Sequence, residues 1–323
     1  MIMKTKTYLF SLAFLFALSF TVTTACSDDD NDDNDEMELQ KDNDNDDNSD
    51  NDNDDNLVPE LVCEELYCNR DGYKIYGKMY RKVSEGSKAP CVILSHSSSL
   101  THAAMAGYAE SIAEKGMSAY CFDFCGGSSE SQSDGSTDEM TVFTEVDDLK
   151  AVLETVKKLP YVDADSIFLL GSSQGGLVSA LTAEDVASDI RGMILFYPAF
   201  NIPELVRMFA GFGGGFGGTG GFGGFGGMTG MSEAFVESIK DFDVWSHIGG
   251  YAGPVLIIHG TNDFIVPISN SEKAVTIYPN ASLVRIEGAN HGFNSANLGG
   301  YGSMVGEYDD EVMPYVYSFL VSR

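Results

Sequence analysis

Short apolar runs alternate with longer segments of helical periodicity along most of the chain. Such runs, bounded by polar residues, glycine or proline, predict buried strands, and they lie at residues 91–95, 117–124, 166–170, 192–196, 254–260 and 282–286. From Tyr73 the sequence YKIYGKMYRKV instead alternates in hydrophobicity, which predicts a strand with one buried face. Strands separated by helix-length segments indicate an α/β protein with a mostly parallel central sheet and helices on both faces.

One predicted helix is especially well marked. Apolar residues recur at helical spacing between residues 139 and 159, and Pro160 ends the pattern because proline cannot continue a helix. Other segments of helical character lie at residues 103–115, 175–183, 231–241 and 308–320. These elements fit one large α/β domain, which we place at residues 57–323.

A turn rich in glycine and serine joins the apolar run 166–170 to a predicted helix. In the sequence GSSQGG, Gly171, Ser173 and Gly175 match the pattern G-x-S-x-G. A tight strand-to-helix turn of this kind exposes the hydroxyl of its central serine, and the helix N-terminus favours developing negative charge nearby. Ser173 is therefore the predicted nucleophile, and the alternative is an ordinary turn serine.

A serine hydroxyl needs a base, and the base needs a third group that orients it. His291 follows the last predicted strand and is the predicted base. Asp263 follows the preceding strand and is predicted to accept the imidazole Nδ1–H; the alternative is a turn residue after Gly260. Structural roles are assigned to the other histidines, which are His96, His102, His247 and His259.

Several short motifs follow one another in an order typical of one protein family. They are SHSSS, CFDFCGG, GSSQGG, HGTNDFIVP and GANHGF. Over about residues 70–323 the chain resembles the α/β-hydrolases, and within them the bacterial cinnamoyl/feruloyl esterases and dienelactone-hydrolase-like proteins. The resemblance implies a carboxylic-ester hydrolase that works through an acyl-enzyme without a metal or organic cofactor. It also implies a small-molecule or polysaccharide-linked ester as substrate, with acetyl or hydroxycinnamoyl groups on plant polysaccharide as candidates.

An oxyanion hole requires two backbone N–H groups that point at the developing negative charge. Gln174, which follows the predicted nucleophile, supplies one of them by this resemblance, and Ser98 is expected to supply the other. The family usually has His-Gly-x where this chain has His96-Ser97-Ser98, so a serine replaces a glycine. A hydroxyl of Ser97 or Ser99 is the alternative second donor.

Two other functions fit parts of the sequence. A serine peptidase related to the catalytic domain of prolyl oligopeptidase would share the fold and the order Ser173, Asp263, His291. A non-catalytic binding lipoprotein on a hydrolase scaffold belongs to a different class, but it has no need of all three residues at these loop positions.

The N-terminal residues predict export. Residues 1–25 carry two lysines, an apolar run and then small residues, as signal peptides do. Thr23-Thr24-Ala25-Cys26 resembles a bacterial lipobox, so Cys26 is the predicted lipidation site, with anchoring to the outer membrane or cell surface. An ordinary secretory signal is the alternative. Residues 26–56 predict a disordered tether, because residues 27–56 hold 16 acidic residues and one lysine.

Charge and cysteine spacing exclude some partners. The formal charge of residues 57–323 stays negative, which argues against nucleic acid and against anionic membrane surfaces, so membrane contact is expected through the lipid anchor alone. The cysteines show no zinc-site spacing, and a disulfide between Cys63 and Cys68 is left open beside free thiols.

A glycine- and phenylalanine-rich insertion occupies the position where the α/β-hydrolases carry a cap. Residues 211–230 contain 13 glycines, with four phenylalanines among them. A mobile lid with aromatic contacts and a low-complexity insertion without a role are both left open.

Overall fold

The computed structural model describes residues 60–83, 86–211, 231–295 and 306–323. The predicted signal peptide, the acidic tether and Cys26 lie outside the described residues, as does the Gly/Phe-rich insertion beyond Gly211. None of the helices in the described part of the chain is both long enough and apolar enough to cross a membrane.

Eight strands form one sheet, and most of them are parallel, as predicted. The strands are β1 (Leu61–Arg70), β2 (Tyr73–Lys82), β3 (Ala89–Ser95), β4 (Ser118–Phe122), β5 (Val162–Ser172), β6 (Gly192–Phe196), β7 (Val255–Gly260) and β8 (Ala281–Ile286). Their order is β1-β2-β4-β3-β5-β6-β7-β8. Only the β1–β2 and β2–β4 pairs of this sheet are antiparallel.

Helices cover both faces of the sheet. They are α1 (Ala106–Glu114), α2 (Val142–Val156), α3 (Gln174–Asp185), α4 (Ile202–Gly211), α5 (Glu233–Ile239), α6 (Ser269–Ile277) and α7 (Asp309–Val321). Apolar side chains of α1 and α7 share one buried cluster with one side of the sheet. Those of α2, α3, α5 and α6 belong to a second cluster on the other side. The predicted arrangement of helices on both faces is confirmed.

The start of α2 shows how a local signal sets an element boundary. The Thr141 side chain accepts the backbone N–H of Thr144 at 3.1 Å, and the Thr144 side chain accepts the backbone N–H of Thr141 at 2.9 Å. This reciprocal capping satisfies two backbone groups that a helix end leaves without partners. The helix therefore starts at Val142, three residues later than the apolar periodicity alone predicts.

Helix α4 is an element that the sequence did not predict. It runs from Ile202 to Gly211 and leads into the glycine-rich insertion. Pro203 lies in its first turn, where a missing N–H breaks no helical hydrogen bond. The proline and the following glycines hide the helical pattern of the residues between them.

The disulfide left open between Cys63 and Cys68 is not formed. Both residues lie on β1, Cys63 exposed and Cys68 buried, and both are free thiols. Residues five apart on a strand point to opposite faces, and their Cα atoms are separated by roughly 16 Å. A disulfide requires a Cα separation below about 7 Å.

Candidate active site

Ser173 occupies a sharp turn between β5 and α3. Its backbone has φ 51° and ψ −115°, a strained conformation for a residue other than glycine. The surrounding backbone holds it there, because the Ser173 N–H donates to the Phe196 carbonyl at 2.9 Å. The Ser173 carbonyl accepts from Gly176 at 3.0 Å and from Ala199 at 2.9 Å.

The two glycines of the motif are needed because backbone passes close to both of them. A Cβ atom on Gly171 would lie 2.2 Å from the Gly175 carbonyl oxygen. One on Gly175 would lie 2.4 Å from the Ser95 carbonyl oxygen. A side chain at either position would force the strand, the turn and the helix apart.

We expect Gly171→Ala to destabilise the protein by roughly 3 kcal/mol, because its methyl group overlaps backbone atoms that cannot rotate away. Gly107→Ala in α1 is the matched control, since no atom lies within 4 Å of the added carbon. This variant should show no measurable decrease in the free energy of unfolding. Urea unfolding curves measure both effects. Equal unfolding midpoints for the two variants would contradict the tight packing of the turn.

The structure brings the three predicted catalytic side chains together. His291 Nε2 lies 3.1 Å from Ser173 Oγ, and His291 Nδ1 lies 2.7 Å from Asp263 Oδ2. The three residues follow the carboxyl ends of β5, β7 and β8, which meet at one edge of a parallel sheet. This hydrogen-bonded chain could transfer a proton from the serine hydroxyl to the imidazole.

The Asp263 carboxylate accepts hydrogen bonds at both oxygens. Oδ1 accepts the backbone N–H groups of Ile265 at 2.9 Å and Val266 at 2.8 Å. Burial alone would raise the pKa of Asp263, but hydrogen bonds from His259 and His291 outweigh it and hold that pKa below its ordinary value. The group therefore stays a carboxylate and fixes the His291 ring with Nδ1 protonated.

His259 is a site residue whose part the sequence did not show. Its buried Nε2 lies 2.8 Å from the Val266 carbonyl oxygen and 3.2 Å from Asp263 Oδ2, while Nδ1 lies 2.7 Å from Ser271 Oγ. Both groups that face Nε2 are acceptors, so Nε2 carries the hydrogen. The four-residue spacing between His259 and Asp263, directly after an apolar run, is the signal that could have suggested the contact.

The two residues predicted to form the oxyanion hole line the same pocket. Ser98 and Gln174 lie in its wall with Ser173 and His291. Among the described residues, the backbone N–H groups of Ser98 and Gln174 donate to no backbone carbonyl group. Their role in stabilising an oxyanion stays a prediction.

Ser97, in the loop after β3, stands where the resemblance to the α/β-hydrolases predicts a glycine, and it does not adopt a positive φ. The positive φ in this loop falls instead on Ser99, at 60°. The Ser97 hydroxyl lies 2.9 Å from the Ser172 hydroxyl, so the two serines connect the loop to the turn that carries Ser173.

His96 fixes the same loop from the other side. Its Nδ1–H donates to the Ser97 carbonyl at 2.8 Å, and its Nε2 accepts the Phe124 N–H at 3.2 Å. Burial lowers the pKa of His96, which keeps the ring neutral and suited to donate at one nitrogen and accept at the other.

Asp123 has a structural role in the loop after β4. Its carboxylate accepts the backbone N–H of His102 at 2.6 Å, the ring Nδ1–H of His102 at 2.7 Å and the backbone N–H of Gln132 at 2.8 Å. These bonds tie the loop after β4 to the residues just before α1.

An apolar pocket that is open to solvent lies beside Ser173 and His291. Its apolar wall consists of Ala199, Ile202, Leu205, Met231, Phe235, Ile265 and Val266. Helix α4 supplies Ile202 and Leu205, helix α5 supplies Phe235, and Met231 lies two residues before α5. Apart from His291, no described residue of the lining has an ionisable side chain.

In the ranges 60–83, 86–211, 231–295 and 306–323, no three histidine, cysteine, aspartate or glutamate side chains cluster as a metal site would require.

A family profile described as "Serine aminopeptidase, S33" matches residues 86–217. This segment includes Ser98 and Ser173 and ends before Asp263 and His291.

Two curated proteins also match over short stretches. A non-heme haloperoxidase of Rhodococcus erythropolis is 44% identical over 70 residues, which are 20% of this chain and 26% of that protein. The non-heme chloroperoxidase CPO-A1 of Kitasatospora aureofaciens is 39% identical over 59 residues, 18% of each chain. The chain thus spans only about a quarter or less of these relatives.

Solved structures match over nearly the whole described domain. Est1E from Butyrivibrio proteoclasticus, in a structure with bound ferulic acid, is 25% identical with a TM-score of 0.65, over 80% of this chain and 98% of that one. A monoacylglycerol lipase of Paleococcus ferrophilus is 17% identical with a TM-score of 0.54, over 81% of this chain and 99% of that one. Together with the sheet order, these likenesses show that the chain has the α/β-hydrolase fold.

Proposed function

We propose that this protein is a serine hydrolase that cleaves carboxylic esters through an acyl-enzyme. The observation that carries the proposal is the hydrogen-bonded chain from Ser173 Oγ through His291 to Asp263, beside a pocket that Ser98 and Gln174 line. A nucleophile, a base, an orienting carboxylate and oxyanion donors are the groups that acyl transfer requires.

In the first half-reaction Ser173 Oγ attacks the ester carbonyl carbon while His291 Nε2 takes the hydroxyl proton. The carbonyl oxygen becomes an oxyanion that the N–H groups of Ser98 and Gln174 stabilise. Collapse of this intermediate breaks the ester C–O bond, and the alcohol leaves with the proton from His291. Asp263 stabilises the imidazolium throughout.

In the second half-reaction water replaces the alcohol. His291 takes a proton from the water, whose oxygen bonds to the acyl carbon. The new oxyanion collapses, the bond to Ser173 Oγ breaks, and the serine recovers its proton from His291. The products are a carboxylic acid and an alcohol, and the protein returns to its initial state.

The pocket favours an uncharged acyl group. Its apolar wall consists of aliphatic side chains, Met231 and Phe235, and apart from His291 the described lining residues carry no group whose charge could bind a peptide terminus. An apolar wall of this kind suits a short or planar acyl group by removing its surface from water. Acetyl and hydroxycinnamoyl esters fit this chemistry.

The likeness to Est1E, whose structure holds ferulic acid, supports a hydroxycinnamoyl ester as substrate. Removal of such groups from plant polysaccharide would suit a protein exported and anchored through Cys26, which stays a prediction from the sequence.

The family profile that matches residues 86–217 favours an aminopeptidase as the second candidate.

A substrate panel separates the two candidates. We expect measurable hydrolysis of aryl acetates and methyl ferulate, and almost none of alanyl or prolyl arylamides. An amide carbonyl is less electrophilic, and its amine must be protonated as it departs. The described residues that line the pocket also include no anionic group for the free amino terminus of a peptide. The measurement is kcat/KM for each substrate. Comparable values for an ester and an aminoacyl amide would replace the esterase with the peptidase.

A further inference from the structure

A buried acidic side chain lies directly behind the turn that carries Ser173. Glu145, in the first turn of α2, is 1% exposed. Its Oε2 lies 2.8 Å from Nε2 of Gln174, which is itself 3% exposed. The two residues are 29 positions apart in the sequence, and their contact joins α2 to α3 beside the predicted oxyanion hole.

Gln174 connects this acid to the chemistry. Gln174 lines the pocket and its backbone N–H is the predicted oxyanion donor, while its side-chain amide is held by Glu145. In the described part of the chain, no lysine, arginine or histidine nitrogen lies within 4.0 Å of the Glu145 oxygens. A buried carboxyl group without a cation is far more stable neutral than charged.

Resting on the proposed esterase chemistry, we propose that Glu145 is a positioning residue that must be uncharged for full activity. As a neutral acid it fixes Gln174, and with it the N–H that faces the oxyanion. As a carboxylate it places a second negative charge behind a site where negative charge must develop. Deprotonation of this one buried group therefore slows ester cleavage.

The Glu145 carboxyl group ionises within the pH range in which enzymes commonly work. Burial raises the pKa of Glu145 to about 8, with the hydrogen bond from Gln174 opposing this change and the charge of Asp148 adding to it. Below that pH the acid is mostly neutral, and above it mostly charged. Activity should accordingly be highest below about pH 8 and should fall as pH rises through this value.

The other ionisable groups around Glu145 have separate partners. Asp148, one turn along α2, accepts from Arg70 Nε at 2.5 Å and from the Cys125 backbone N–H at 2.8 Å. The first ten residues of α3 include no ionisable side chain. The acidic side chains of α5, Glu233 and Glu237, are exposed to solvent.

Tyr197 packs against the base, with its ring centroid 4.6 Å from that of His291. Burial raises the pKa of Tyr197 well above the ordinary tyrosine value, so this hydroxyl does not ionise in the range where Glu145 does.

The test is the pH dependence of kcat on an aryl ester between pH 6 and 10, with spontaneous hydrolysis subtracted. For the wild type, kcat should fall on the order of tenfold at the alkaline end, as expected for a like charge one side chain from the oxyanion. Glu145→Gln keeps the shape and the hydrogen bond but cannot ionise, so this fall should vanish. Glu154→Gln on the exposed face of α2 is the control and should show the wild-type fall.

A second variant separates charge from hydrogen bonding. Glu145→Met removes both, so it should also lack the alkaline fall, and its kcat should be lower at every pH with little change in KM. It also serves if Glu145→Gln does not fold, which circular dichroism reveals. If kcat fell at alkaline pH in the uncharged variants as it does in the wild type, the role of Glu145 would be overturned, while the proposed esterase function would stand. No ester turnover by the folded wild type at any pH would overturn the proposed function and this inference with it.

Discussion

Ser173→Ala is expected to lower ester turnover by about 10³-fold or more while the protein stays folded. The change removes the Oγ that lies 3.1 Å from His291 Nε2 and no other heavy atom. Alanine and serine experience the same strain at φ 51°, so the turn itself should persist. Steady-state kcat/KM on an aryl ester measures the loss, and thermal unfolding checks the fold.

Ser172→Ala is the matched control for this substitution. Ser172 is the neighbouring serine, buried and hydrogen-bonded to Ser97 rather than to His291. Its loss should weaken the loop after β3 and leave most of the turnover. If Ser172→Ala lost more activity than Ser173→Ala, the assignment of the nucleophile would be wrong.

Asp263→Asn is expected to reduce kcat by roughly 10³- to 10⁴-fold. The two oxygens of Asp263 accept from four donors, which are the backbone N–H groups of Ile265 and Val266 and the rings of His259 and His291. An asparagine must turn its NH₂ group toward one of these pairs, where donor faces donor. Either the His291 ring loses its orientation or the loop after β7 loses two backbone bonds.

The same argument predicts a loss of stability in Asp263→Asn, since a buried donor without an acceptor costs about 1–3 kcal/mol. Asp189→Asn is a suitable control, because that side chain forms only a partly exposed ion pair with Lys157, and it should retain turnover and nearly all stability. Urea unfolding and kcat measure the two effects separately. Normal kcat in Asp263→Asn would show that another carboxylate orients the base.

Much of the fold follows from the period of the hydrophobic pattern. Central strands such as β3, β5, β6 and β7 are buried on both faces, so each appears as a short continuous apolar run. The placement of Ser173, Asp263 and His291 could also be predicted, because the carboxyl ends of parallel strands meet at one edge of the sheet. Proximity in space follows there from topology.

Contacts between remote elements could not be predicted. In the sequence Glu145 looks like an ordinary acidic residue of a helix, and nothing near it indicates that its side chain reaches Gln174. His259 closes an apolar run, and its position suits a core histidine as well as a partner of Asp263. Each role depends on how α2 packs on α3 or how the loop after β7 folds back, which are properties of the packed structure.

The central claim is that Ser173 is an activated nucleophile, and covalent labelling tests it most directly. The protein would be treated with a fluorophosphonate and digested, and the modified residue located by mass spectrometry. The account predicts one adduct per chain, on Ser173, that is absent from Ser173→Ala and strongly reduced in Asp263→Asn. A folded wild-type protein that stays unlabelled, or is labelled at another residue, would contradict the account and favour a binding protein on a hydrolase scaffold or a different nucleophile.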